Sequence, residues 1–148
     1  MTATATITGR RPHAGVEVGP ILADRSFTLH RRDLVRYAGS SCDYNPIHYD
    51  DTLAREAGLA TPIVQGMFTM GLALTLVTDW AGDPAAIVDF GGRFPRQVPM
   101  PNTGEAAEIV ASASVVEVLD APLVRLSVSV RLGEARVLTM PRVLVELA

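Results

Sequence analysis

Between Gly66 and Trp80 the chain reads as a helix with no face to spare for water. Met67, Phe68, Met70, Leu72, Leu74, Leu76 and Val77 point in nearly every direction of a helical wheel, and a helix that is apolar all round has to be enclosed by protein. Thr75, Thr78 and Asp79 break the run, so it falls short of the roughly 18 to 20 apolar residues that a membrane span needs. Whatever encloses this helix must come from the rest of the chain. That chain has 148 residues, 48% hydrophobic but only 5% aromatic, so the enclosure is built from Val, Leu, Ile and Ala.

The second half supplies it. From Val124 to Leu132 apolar and polar residues alternate, the pattern of a strand with one buried face. Gly133 and Glu134 offer a tight turn into another strand from Ala135 onward, where Pro141 argues for an edge or a bulge. Residues 104–119 and 87–98 also read as strands. In the former, the alternation Ile109, Ala111, Ala113, Val115 slips to Val116 and Val118, which predicts a bulge at Val115–Val116. Upstream, Ile21–His30 reads as a first strand and Arg31 to about Ala38 as a short helix. A further short helix is capped by Asp50 or Asp51 and ended by Gly58. Strands in succession with no helices between them favour antiparallel pairing. The expected fold is α+β, one antiparallel sheet curled around the buried helix, with a single domain over 19–148 behind a loosely ordered leader, 1–18.

Charge and composition remove several functions. Thirteen basic residues against sixteen acidic ones leave a net charge of −3, which argues against a nucleic-acid surface. Every basic residue is arginine, so lysine Schiff bases and the phosphate loop that depends on lysine are excluded. Cys42 is the only cysteine, which rules out an intrachain disulfide and suits the cytoplasm. No membrane association is expected.

The segment that can carry chemistry is Gly39–His48, where Gly39 and Pro46 break regular structure. It places a carboxylate, Asp43, five positions before an imidazole, His48, and Asn45 before a proline is biased out of helix. Two readings stand. In one, Asp43 and Asn45 turn back onto the backbone and His48 sits at the surface; in the other, Asp43 and His48 are an acid–base pair. A metal held by His30, Asp33, Asp50 and Asp51 with His48 is the competing reading, but caps and surface roles account better for the aspartates. Arg31, Arg32, Arg93 and Arg96 read as a solvated or ion-paired face, or as ligands for the phosphates of a pantetheine carrier.

Tyr37-Ala-Gly-Ser-Ser-Cys-Asp-Tyr-Asn-Pro-Ile-His48, followed after five residues by Ala54, resembles the signature of the MaoC-like, (R)-specific enoyl-thioester hydratase and (3R)-hydroxyacyl-ACP dehydratase family. Thr61-Pro-Ile-Val-Gln-Gly-Met67 is similar to the family's second marker, and Arg93-Phe94 with Val98-Pro-Met-Pro-Asn102 to the strand after it. The resemblance implies the hot-dog fold, a long helix wrapped by antiparallel sheet. It also implies a catalytic dyad of Asp43 and His48, with Asn45 shaping their loop and the Gly66 amide as oxyanion hole. The implied substrate is an acyl-CoA or acyl-ACP thioester, handled without metal or redox cofactor. The implied partner is a second hot-dog subunit, in a homodimer or heterodimer.

The chemistry requires those residue types. Taking a proton from the carbon beside a thioester carbonyl puts negative charge on that oxygen, and a backbone donor at a helix N-terminus stabilises it. In dehydration, His48 takes the α-proton and Asp43 delivers a proton to the departing β-hydroxyl; hydration reverses the roles. Two positions depart from the family pattern: Cys42 stands where a glycine is usual, and Gln65 where a histidine is. A positive φ at Cys42 would strain the loop, and Gln65 would alter the support behind Gly66. The alternatives are a non-catalytic acyl-binding subunit of a heteromeric complex, or a thioesterase on the same fold.

Overall fold

A computed structural model describes residues 9–21 and 24–148. The strands are β1 (Gly19–Pro20), β2 (Arg25–Leu29), β3 (Ile87–Arg93), β4 (Ala107–Val118), β5 (Leu123–Leu132) and β6 (Ala135–Glu146), and the helices are α1 (Arg31–Ser41), α2 (Asp51–Glu56) and α3 (Gly66–Ala81). They form a six-stranded sheet in the order β1-β4-β5-β6-β3, with β2 also pairing β4, and every pairing is antiparallel. The expected first strand is in fact interrupted, β1 and β2 pairing successive stretches of β4; Leu22 and Ala23 of that expectation lie outside the described residues.

The alternation in the sequence is what buries one face. Val124, Leu126, Val128 and Val130 of β5 are at most 1% exposed, as are Ile109 and Ala111 of β4 and Ala73, Leu76 and Val77 of α3. Polar groups on α3 are accommodated inside the helix: Thr75 and Thr78 donate to the carbonyls of Leu72 and Thr75 at 2.6 and 3.2 Å, so their hydroxyls enter apolar surroundings already paired. The enclosure is incomplete, however. Met67 stays 56% exposed, and Gly71, one turn on, is also open.

Both bulges occur where the sequence asks for them. The β4–β5 register shifts between Val115 and Glu117, but Val116 and Val118 beyond it are 44% and 39% exposed, so the slip does not return the alternation to the core. On β6 the register shifts on both sides of Pro141, against β5 and against β3. A bulge is how a residue without an N–H is tolerated in an interior strand.

Among the boundaries that differ from expectation, α1 runs through Gly39 to Ser41 instead of ending near Ala38. The strand expected over 87–98 ends at Arg93, because the next residues leave the sheet to cross the start of α3. Val64 N–H donates to the Val98 carbonyl (2.9 Å) and Met100 N–H to that of Pro62 (2.7 Å). Of the expected leader, residues 1–8 lie outside the described residues, while residues 10–13 are held against the body. Arg10 pairs with Asp83 and Glu146, each at 2.8 Å, Arg11 N–H donates to the Ala81 carbonyl at 2.7 Å, and its guanidinium lies 4.9 Å from the Trp80 ring centre.

Candidate active site

The site is assembled where three elements end. Helix α1 stops at Cys42, which adopts φ 58°, ψ 24°, and is the only non-glycine residue at positive φ among those described. That left-handed turn reverses the chain into Asp43. An ordinary side chain there costs about 1–2 kcal/mol, so the missing glycine is felt as strain with the loop's route preserved. Asp43 Oδ1 then accepts from the Asn45 N–H (3.3 Å), and Asn45 Oδ1 from the Ile47 N–H (3.3 Å). Asn45 thereby caps the short 3-10 turn Pro46–His48.

The first reading of this loop is therefore met only in part. The aspartate and asparagine do turn onto the backbone, but His48 is no surface residue: it is 8% exposed. Its Nδ1 lies 2.8 Å from the Ile63 carbonyl. A carbonyl only accepts, so Nδ1 carries a proton, and in the neutral form of the ring Nε2 is the nitrogen with the free lone pair. That Nε2 is 3.7 Å from Asp43 Oδ2. At that distance no direct hydrogen bond joins them. Asp43 keeps a partly exposed side chain, at 39%.

Gly66 begins α3 and lines the same recess as His48, a cavity of about 230 Å³ walled by Thr69, Phe94, Val98 and Val137. Its N–H has no acceptor among the described residues, as expected for the first amide of a helix. A Cβ built on Gly66 would lie 3.1 to 3.3 Å from the Phe94 ring. Glycine is thus what lets the chain from β3 close over the helix terminus. Gln65 turns away from the recess: it is 1% exposed, its Nε2 donates to the Leu34 carbonyl at 3.0 Å, and its Oε1 is buried without a partner. It ties α3 to α1, which carries the dyad loop.

The other sequence candidates are engaged elsewhere. Asp50 caps α2 through the N–H groups of Thr52 and Leu53. Asp33 accepts from the His30 N–H at 2.9 Å. Arg31 pairs with Asp51 and donates to the Met100 carbonyl at 2.9 Å. Of the methionine-phenylalanine group, Met70 is core and Phe68 stacks on Tyr37 at 4.8 Å. Sequence reasoning missed the Ile63 carbonyl that selects the histidine tautomer, since no side chain marks it, and it gave Phe94 no place at the site although the residue lies in a quoted motif.

With this geometry in hand, the likeness to known proteins is consistent from end to end. A 41% identical stretch of 56 residues, 36% of this chain, aligns with enoyl-CoA hydratase 2, peroxisomal, of Arabidopsis thaliana, and covers 18% of that protein. Among solved structures, a MaoC-like dehydratase superposes with TM-score 0.85 and 30% identity over 99% of this chain and 45% of its own. The chain thus spans less than half the length of these two relatives. An (R)-hydratase from A. caviae involved in PHA biosynthesis superposes with TM-score 0.77 at 25% identity, covering 91% of this chain and 99% of its own. The ChsH1-ChsH2 complex from Mycobacterium tuberculosis has the same fold, with TM-score 0.78 at 24% identity over 90% of this chain and 99% of that one. The fold is the hot dog. The model of the MaoC like domain matches residues 16–129, so the chain belongs to the MaoC-like domain family.

Proposed function

We propose that the protein is a hydro-lyase that reversibly dehydrates a (3R)-hydroxyacyl thioester, linked to CoA or an acyl carrier protein, to the trans-2-enoyl thioester. The observation that carries this reading is that His48 lines one recess with Gly66 while its Nε2 stands 3.7 Å from Asp43 Oδ2.

Proton balance fits the pair. In dehydration the neutral His48 takes the α-proton while a protonated Asp43 gives its proton to the departing hydroxyl, which leaves as water. The pair ends as imidazolium and carboxylate. That state is the one hydration starts from: Asp43 takes a proton from water as its oxygen bonds to the β-carbon, and His48 returns a proton to the α-carbon. The enolate-like oxygen formed in either direction is stabilised by the Gly66 N–H. No metal or redox group is called on.

The open stripe on α3 at Met67 and Gly71 supports a second subunit, a copy of this chain or another hot-dog chain, because a helix of this composition is not finished until that stripe is covered. Among the described residues no helix is long and apolar enough to cross a membrane; we place the enzyme in the cytoplasm, with 19–148 as its catalytic domain. The purified chain, alone and with a neighbouring hot-dog subunit, should change the double-bond absorbance of 2-enoyl or 3-hydroxyacyl thioesters without releasing thiol. Thiol release would make it a thioesterase, and no change on any thioester would leave an acyl-binding subunit.

A further inference from the structure

The chain carries more acid than base, yet one groove collects arginines that have no carboxylate. Arg10, Arg25, Arg31, Arg36, Arg125, Arg131 and Arg142 each pair with an aspartate or glutamate. The other six of the thirteen make no such pair among the described residues, and three of these six are Arg93, Arg96 and Arg136. All three are exposed, and all three line one open groove of about 560 Å³ with Thr139 and Glu134. Glu134 stands among them without forming an ion pair to any. Arg136 is opposite Arg131 in the β5–β6 register, and like charges placed directly across a pair of strands repel. Arg131 is relieved by Asp24 at 3.1 Å; Arg136 is not.

The position of the groove gives this charge a use. Arg96 lines both the groove and the recess that holds His48 and Gly66, so the basic surface opens beside the mouth of the active site. Resting on the thioester reading above, we infer that Arg93, Arg96 and Arg136 bind the phosphate groups at the far end of the pantetheine arm while the thioester lies at Gly66. Guanidinium groups bind phosphate through paired N–H donors, and three of them against the one carboxylate of Glu134 leave the groove with net positive charge. The shared chemistry is a phosphorylated pantetheine, whether the phosphates belong to CoA or join the arm to a carrier protein.

The test compares thioesters with and without phosphate. In the Arg93→Ala/Arg136→Ala variant, which leaves the recess lining intact, KM for crotonyl-CoA should rise about ten-fold or more, as expected for removal of charge-assisted bonds, with kcat nearly unchanged. Turnover of the crotonyl N-acetylcysteamine thioester, which has no phosphate, should match the unsubstituted protein. An unchanged KM for crotonyl-CoA, or an equal loss with both thioesters, overturns the inference. With crotonyl carrier protein as third substrate, a parallel loss assigns the groove to the phosphate that both carriers share, and a loss confined to CoA assigns it to the nucleotide phosphates. Calorimetric titration with CoA reads the groove without catalysis. Weaker binding by the double variant upholds the inference even if the unsubstituted protein turns over no thioester, and equal binding overturns it.

Discussion

The interior around α3 and the loop that carries the dyad were built under opposite rules. In the interior every local preference agrees with the fold: alternating strands bury their apolar side, and Ala73, Leu76 and Val77 reach 0% exposure. Across the loop and the helix start it abuts, preferences are overridden one after another. Cys42 takes a backbone conformation suited to glycine, Asp43 and His48 stand 3.7 Å apart without a hydrogen bond, and Gln65 Oε1 is buried with no partner among the described residues. Local conflicts concentrate where a structure is organised for chemistry and not for stability. Activity and stability should therefore separate cleanly between the two regions.

The largest expected effect is on activity alone. Asp43→Asn should lower kcat by about 10³-fold, within the range for loss of a positioned acid–base group, with a urea midpoint unchanged. A matching loss of stability would show the aspartate to be a structural brace of the loop. Leu76→Ala does the converse: a cavity in the interior should destabilise by about 2–5 kcal/mol, read from urea denaturation, while the folded fraction keeps its turnover.

Gly66→Ala brings a methyl within 3.1 Å of the Phe94 ring and so couples the regions. It should lower kcat by about 10- to 100-fold, comparable to weakening one oxyanion donor; adding Phe94→Ala should recover part of that loss if steric pressure from the ring is the cause. Cys42→Gly should stabilise by about 1 kcal/mol, the relief of a left-handed side chain less glycine's entropy, without changing the rate.

The smallest effect belongs to the N-terminal strap. The Ala85 N–H and the Arg10 guanidinium hold the Asp83 carboxyl below its ordinary value. A carboxyl lowered by folding contributes fully above its unfolded pKa and loses that contribution as pH falls through the native value. Acidification below the usual carboxylate range should therefore loosen the strap, seen as a change in fluorescence of Trp80, the only tryptophan. Arg10→Ala should abolish that transition.

What could be read from residues alone was what repeats or what is spelled in side chains. The strands of the second half and the all-apolar helix were legible because alternation and residue type carry them, whereas Asp43 and His48 stood out only through the resemblance of the segment around them. The end of β3 at Arg93 was not, since the departure of 94–98 is set by backbone pairing of residues 98 and 100 with 62 and 64, which leaves no pattern in the side chains. The Ile63 carbonyl that sets the histidine tautomer was hidden for the same reason. The order at Arg10–His13 comes from contacts with Asp83, Glu146 and the Ala148 backbone, all more than 70 residues away in sequence, where local composition is silent.

The central claim is that Asp43 and His48 move protons to and from a thioester's α- and β-positions. Incubating a trans-2-enoyl thioester with the enzyme in deuterium oxide and examining the product by NMR tests it most directly. The account predicts the (3R)-hydroxyacyl thioester with a single deuterium at the α-carbon, absent with Asp43→Asn. A free acid with an unlabelled α-carbon, or a 3S product, would contradict it.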